Sequence, residues 1–273
     1  MSLLEAVVLG VVQGLTEFLP ISSTAHLRVV PVLFHWHDPG VAYSAVIQLG
    51  SVIAVIAYFF GELLQLATGS LKAISQRNWQ DHSLQVALSV VVGTIPICVL
   101  GLAFKSVLEQ NDGPVRSLVV IGTAAIFMGL LLLLAELKGK RERGMQSLTI
   151  KDGLLVGLGQ ALALIPGCSR SGSTMTVAML LNMKREDAAH YSFLLGIPAI
   201  ALSGLLELYE LSKQGLSGES MTSLVAGLVT SLVVSYLSIH WLLKYLRSHS
   251  AWVFVAYRMV FGVVTIGLGL LGS

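Results

Sequence analysis

The sequence predicts an all-α polytopic membrane protein of two inverted repeats, each a re-entrant helical hairpin followed by three transmembrane helices. Composition is the first reason: 55% of the 273 residues are hydrophobic, 12% are charged, and the mean hydropathy is +0.80. A soluble domain carries about 25% charged residues. The bilayer is therefore the main solvent, and no nucleic acid is expected as a partner. The second reason is six apolar stretches long enough to cross the hydrocarbon core, at 41–60, 84–104, 117–136, 188–210, 221–243 and 251–271. The third is a pair of interrupted apolar regions, 3–34 and 152–182, broken around Pro20 to Ser23 and around Pro166 to Ser169.

Taken in order, residues 3–34 open the chain with an apolar run carrying Glu5, Gln13 and Glu17 and no basic leader, so a cleaved signal peptide is not expected. Each half of this region is too short to span. A broken helix pair is tolerated at membrane depth where its backbone is buried in protein or lines a cavity. Three spans follow, separated by connectors rich in Lys, Arg, Gly and Ser. The basic connector 138–150 then divides the first repeat, 1–137, from the second, 151–273, which repeats the order of hairpin and three spans. Local similarity supports the duplication. Gly10, Gln13, Pro20 and Ser23 resemble Gly157, Gln160, Pro166 and Ser169, and Tyr43 with Ser44 matches Tyr191 with Ser192.

An odd number of spans per half inverts the second half against the first, and the basic residues test that topology. Connectors 61–83, 137–151, 183–187 and 244–250 hold Lys72, Arg77, Lys138, Lys140, Arg141, Arg143, Lys151, Lys184, Arg185, Lys244 and Arg247, eleven of the seventeen basic residues. The opposite side holds only Lys105, Arg116 and Lys213, while Arg28, Arg170 and Arg258 lie within membrane segments. Positive charge gathers on the cytoplasmic side, so both termini are expected outside. Cys98 and Cys168 have no disulfide or zinc spacing.

The chemistry lies on the two breaks. In the first, Gln13 and Glu17 share a helix face at four-residue spacing. Ser22 is a natural N-cap for a helix that carries Ser23, Thr24 and His26. Ionisable groups at membrane depth are expensive and mark function; the plainer reading is that Glu17 and His26 only pin the helix break. In the second break, Ser169 can cap a helix beginning at Arg170. Ser171, Ser173, Thr174 and the free helix-start N–H groups then surround one guanidinium, a receptor for a tetrahedral oxyanion. The plainer reading there is a small-residue packing patch with a snorkelling arginine. The run lacks the spacing of a Walker A loop.

If the inverted halves bring both breaks to the midplane, an anion clamp meets a carboxylate, hydroxyls and an imidazole. That inventory suits phosphoryl transfer. Glu17 could also hold Mg2+ or Ca2+, which favour hard oxygen ligands. Other polar groups fit less well. His35 and His37 lack a carboxylate array, and His82 and His249 look like connector residues. His190, His240, Gln48 and Gln160 suit structural roles, Cys168 lacks an activating histidine in its segment, and Arg258 is either a second anion contact or an ion-pair partner, the structural pairing being favoured.

Together these segments resemble the undecaprenyl-diphosphate phosphatase family, the bacitracin-resistance type of membrane phosphatase. Its first signature, Glu or Gln followed after three residues by Glu and then Pro-x-Ser-Ser-Thr-x-His, is matched by Gln13, Glu17 and Pro20 to His26. Its second, Pro-Gly-x-Ser-Arg-Ser-x-x-Thr, is matched by Pro166 to Thr174. Lesser similarity runs through Ile47 to Ser51, Val92 to Pro96, and Tyr257 with Arg258.

The resemblance implies removal of the terminal phosphate of a C55 polyprenyl diphosphate in the bacterial plasma membrane, giving the monophosphate carrier used in cell-wall synthesis. It implies a divalent cation at Glu17, and a catalytic set of Glu17, Ser23, His26 and Arg170 with Gln13 in support. Ser22, Thr24, Ser169, Ser171 and Thr174 would contact substrate. Gln13 is the uncharged option of the motif, which leaves Glu17 as its one carboxylate. The nucleophile stays open among Ser23, His26 and activated water. A transporter or flippase of the polyprenyl phosphate is the competing class, and a homodimer is an open option.

Overall fold

The computed structural model describes residues 1–37, 40–105, 113–214 and 221–271, with the side chains of 41–42, 114, 207–208 and 210–214 excepted; Lys213 of the outer-side tally falls among these exceptions. The described residues are mostly helical, without strands. The helices are α1 (Leu3–Thr16), α2 (Ser23–Phe34), α3 (Gly40–Tyr58), α4 (Phe60–Ser75), α5 (His82–Ala103), α6 (Leu118–Lys138), α7 (Ile150–Ala161), α8 (Arg170–Leu180), α9 (Arg185–Gln214), α10 (Met221–Ser248) and α11 (Trp252–Leu271). Five of them, α5, α6, α9, α10 and α11, are long and apolar enough to cross a membrane; α3 and α4 form a sixth candidate as a bent pair. A multi-pass membrane protein follows from those lengths.

Each long helix lies close to its expected span, because apolar length under-determines very little once water is removed as a solvent. The exception is residues 61–83, read from their polar residues as a connector. They contain α4, which leaves α3 at Phe59 with a 67° bend. Phe60, Leu64, Leu71 and Ile74 recur at helical spacing on its exposed side, while Leu63 and Leu66 pack on the core. Such a stripe beside polar residues is the pattern of a helix lying in the membrane interface.

Three helix pairs among the described residues are joined through facing glycines, one of them α6 with α11 where Gly122 meets Gly262. α1 packs on α10 where Gly10 faces Gly227, and α7 packs on α5 where Gly157 lies against the Gly93 carbonyl. A Cβ at Gly157 would overlap that carbonyl, so only glycine lets the two backbones approach. At the end of the molecule that carries the basic connectors, Glu136 of α6 is bonded by Arg141 and Arg185 and accepts from the Ala251 amide. Arg143 donates to both Asp152 oxygens, at 2.9 and 2.6 Å, and Arg247 to Glu186 at 2.5 Å. These contacts tie the ends of α6, α7, α9, α10 and α11 into one rim.

Gly157→Val should separate α7 from α5. Overpacking of this kind costs about 1–3 kcal/mol, so the thermal midpoint of the purified protein in detergent should fall by several degrees; an unchanged midpoint would contradict the close backbone contact.

Candidate active site

Both helix breaks end on a serine in a backbone conformation that side chains rarely adopt. Ser22 has φ +77° and Ser169 φ +67°. Each then caps the following helix, Ser22 Oγ accepting from the Ala25 amide at 3.4 Å and Ser169 Oγ from the Gly172 amide at 3.1 Å. Positive φ costs roughly 1–3 kcal/mol at a residue with a Cβ. Each cap recovers about 1 kcal/mol of that, and the remainder must come from the surroundings.

Arg258 of α11 supplies much of it. The side chain is almost wholly buried, and its guanidinium donates to four backbone carbonyls: Ala125 at 3.1 Å, Pro20 at 2.8 Å, Gly167 at 2.8 Å and Cys168 at 3.1 Å. Pro20 belongs to the first break, Gly167 and Cys168 to the second. Arg258 thus has a structural role, as its sequence reading favoured, but its partners are backbone carbonyls and not the carboxylate of an ion pair. Ser171 Oγ, also buried, adds a second tie by donating to the Leu19 carbonyl at 3.0 Å.

Around this bracket the predicted groups meet. Glu17 is 9% exposed and sits just past α1. Its Oε2 accepts from Ser23 Oγ at 2.6 Å and from Gln13 Nε2 at 3.1 Å. Its Oε1 faces Arg170 Nη2 at 3.4 Å, an ion pair between the first and second breaks. Arg170 Nη1 donates to the Ser192 carbonyl of α9 at 3.1 Å, while its Nε is buried without a hydrogen-bond partner. Gly196 makes room for this guanidinium; a Cβ there would overlap Nη1. The geometry leaves a carboxylate in contact with a hydroxyl, beside a guanidinium with donor capacity to spare.

The remaining predicted residues take different positions. His26 is buried: its Nδ1 lies 2.7 Å from the Ser22 carbonyl and its Nε2 2.6 Å from the Tyr257 hydroxyl. Thr24 is exposed beside the half-buried Ser23. Thr174 is wholly buried, bonded to the Arg170 carbonyl at 2.8 Å and the Ser192 hydroxyl at 2.6 Å, so it fixes the arginine's helix against α9. Gln13 is held from behind by Ser51 of α3 at 3.3 Å, which in turn accepts from Ser235 of α10 at 2.8 Å.

Sequence reasoning missed Ser51, Ser192, Gly196 and Tyr257 as partners of the site. Tyr257 and Ser192 each stood within a matched segment, but nothing in linear spacing says which polar residue of a distant helix faces the breaks. His190 bonds Glu62 at 2.8 Å and His240 lies 3.2 Å from Tyr58 Oη, both structural pairings as expected. Gln48 donates to Ser203 and Gln160 to the Gly93 carbonyl.

Among the described residues no cluster of three His, Cys, Asp or Glu could hold a metal ion. Glu17 is the carboxylate of the site, and its oxygens already face three donors. A single carboxylate still fits Mg2+ or Ca2+ when phosphate oxygens complete the shell.

A family model described as bacitracin resistance protein BacA matches residues 6–264. The chain is 52% identical over 268 residues to the undecaprenyl-diphosphatase of Nostoc sp., which covers 98% of this chain and 84% of the relative. It is 53% identical over 264 residues to the undecaprenyl-diphosphatase of Gloeobacter violaceus, with 97% and 91% coverage. The undecaprenyl-diphosphatase of Trichormus variabilis is 50% identical over 268 residues, with 98% and 84% coverage.

Replacing Arg258 with Met should leave buried carbonyls of both breaks without donors, each costing about 1–3 kcal/mol. The expected result is a marked loss of thermal stability in detergent together with loss of any turnover. A variant as stable and active as the parent would remove Arg258 from its bracketing role.

Proposed function

The chain belongs to the bacitracin resistance protein BacA family, and from that membership and the site's geometry we propose how it acts as an undecaprenyl-diphosphatase. It removes the terminal phosphate of undecaprenyl diphosphate and gives undecaprenyl phosphate, which recycles the lipid carrier of cell-wall synthesis. The relatives' names speak for hydrolysis and lend nothing to the transport alternative.

The observation that carries the mechanism is the 2.6 Å contact of Ser23 Oγ with Glu17 Oε2, beside Arg170. A hydroxyl already bonded to a carboxylate is an activated nucleophile. Ser23 Oγ attacks the terminal phosphorus and its proton passes to Glu17. The anhydride P–O bond breaks, and its electron pair leaves on undecaprenyl phosphate. Arg170, with its unpaired Nε, and the N-termini of α2 and α8 stabilise the charge that builds on the phosphoryl oxygens. Water then attacks the phosphoserine, aided by His26, and Ser23 recovers its proton from Glu17. Thr24, exposed beside Ser23, and the capping serines Ser22 and Ser169 line the approach of the phosphates. Glu17 would hold a divalent cation, which would supply neutralising charge for the diphosphate.

For the architecture we favour two inverted repeats, 1–137 and 151–273, joined by 138–150. If α1 corresponds to α7, α3 to α9, α5 to α10 and α6 to α11, the packing of α1 on α10 becomes that of α7 on α5. The pairs α3 with α9 and α6 with α11 map onto themselves. The twin caps Ser22 and Ser169 fit the same correspondence. Each break then belongs to a re-entrant hairpin, and the basic rim around Arg143, Arg185 and Arg247 supports a cytoplasmic end with both termini outside.

Purified protein in detergent should release inorganic phosphate from undecaprenyl diphosphate. General-base assistance contributes about 10²–10⁴-fold, so Glu17→Gln should lower kcat by about 100-fold or more, and Ser23→Ala at least as far. Near-normal turnover in Ser23→Ala would eliminate the serine nucleophile. Arg170→Ala should raise KM and lower kcat together, and unchanged constants there would break the anion clamp.

A further inference from the structure

His26 is held by two partners of different chemistry, and together they assign its protons. The Ser22 carbonyl can only accept, so Nδ1 carries the ring proton. A neutral ring then presents a lone pair at Nε2, and the Tyr257 hydroxyl donates to it at 2.6 Å. Phe261 stacks on the imidazole at 4.2 Å and 17°, and Tyr257 itself lies nearly parallel to it at 5.6 Å and 16°. The imidazole is therefore fixed in place, orientation and tautomer before substrate arrives.

Tyr257 is also oddly placed for a merely structural tyrosine. It is 43% exposed, on the flank of α11 that presents Val253, Val260 and Val264 outward at helical spacing. Those valines face lipid in a membrane-crossing helix, whereas the Tyr257 hydroxyl turns inward to a buried imidazole. Its ring thus stands between the bilayer and the one lone pair that His26 offers. Ser22, the other partner of His26, adjoins Ser23, so His26 lies about one helix turn along α2 from Ser23.

We propose that Tyr257 is a catalytic residue of the phosphatase reaction, whose hydroxyl holds His26 Nε2 in the resting site and releases it as charge builds on a phosphoryl oxygen in the transition state. The inference rests on the phosphatase reading above. A charged phosphate oxygen is a better acceptor than a neutral imine nitrogen. The Tyr257 O–H turns to that oxygen without losing its proton, and Nε2 is left free to accept a proton from the water that attacks the phosphoserine. The new P–O bond forms from that water as the bond to Ser23 Oγ breaks, and Oγ takes the proton held by Glu17. Tyr257 therefore sets when His26 can act as a base.

The test is Tyr257→Phe, which keeps the stacked ring and removes only the hydroxyl. The expected result is a kcat about 10-fold lower with KM within about twofold, the pattern of an interaction made in the transition state. In protein labelled with 15N-histidine, wild-type His26 should give a protonated Nδ1 and a hydrogen-bonded, unprotonated Nε2, and the Nε2 signal should shift in Tyr257→Phe. A kcat within twofold of wild type, or an Nε2 signal identical in the two proteins, would overturn the proposal. If the variant does not fold, wild-type protein decides alone, because a His26 protonated at Nε2 is incompatible with the assignment. Absence of turnover in wild type would instead sink the phosphatase reading, and the nitrogen spectrum would still judge Tyr257.

Discussion

The site depends on one guanidinium spending its donors on backbone. Arg258 bonds the carbonyls of Pro20, Gly167 and Cys168 from the two breaks, and Ala125 from α6. In the hydrocarbon region an unpaired carbonyl has no water to turn to, so a chain that breaks two helices there must bring its own donors. A charged side chain with five N–H groups meets that demand at one point. Because the same side chain serves both breaks, it also fixes their separation. The Glu17–Arg170 pair, the Ser171 contact with Leu19 and the cap at each serine are all arranged about that distance.

Much of this was legible in the sequence, for a physical reason. Apolar length and the placement of lysine and arginine leave little freedom in a bilayer, so the long helices, both breaks and the caps at Ser22 and Ser169 could be located from residue order. The Gln13–Glu17 contact followed from four-residue spacing on one helix. What failed to show was direction across helices. Ser171 and Thr174 read as ligands because hydroxyls near an arginine suggest an anion site, yet both are buried and bonded to protein. Residues 61–83 read as a connector because their polar residues outweighed a stripe of four apolar ones. The geometry of the interface, absent from a hydropathy profile, decides that case.

The distribution of charge has a clear logic. At the basic rim, ion pairs such as Arg143 with Asp152 join helix ends. At the site, Glu17 and Arg170 pair across the two breaks, and Gln13 adds a neutral donor in place of a second carboxylate. Behind it, Ser51, Ser231 and Ser235 form a hydroxyl chain that ends on the Ile47 carbonyl. Every donor in that chain has an acceptor, which makes a polar seam between α1, α3 and α10 tolerable inside a membrane.

The strained caps at Ser22 and Ser169 carry a consequence for biogenesis. Ser22 lies near the start of the chain, whereas the arginine that braces its turn lies on α11, made after every other helix. As the ribosome adds segments, the first break must wait, its Pro20 carbonyl unbraced, until α11 enters the membrane. The catalytic pocket is therefore a product of completed insertion. A nascent chain can hold all its motif residues and still have no site.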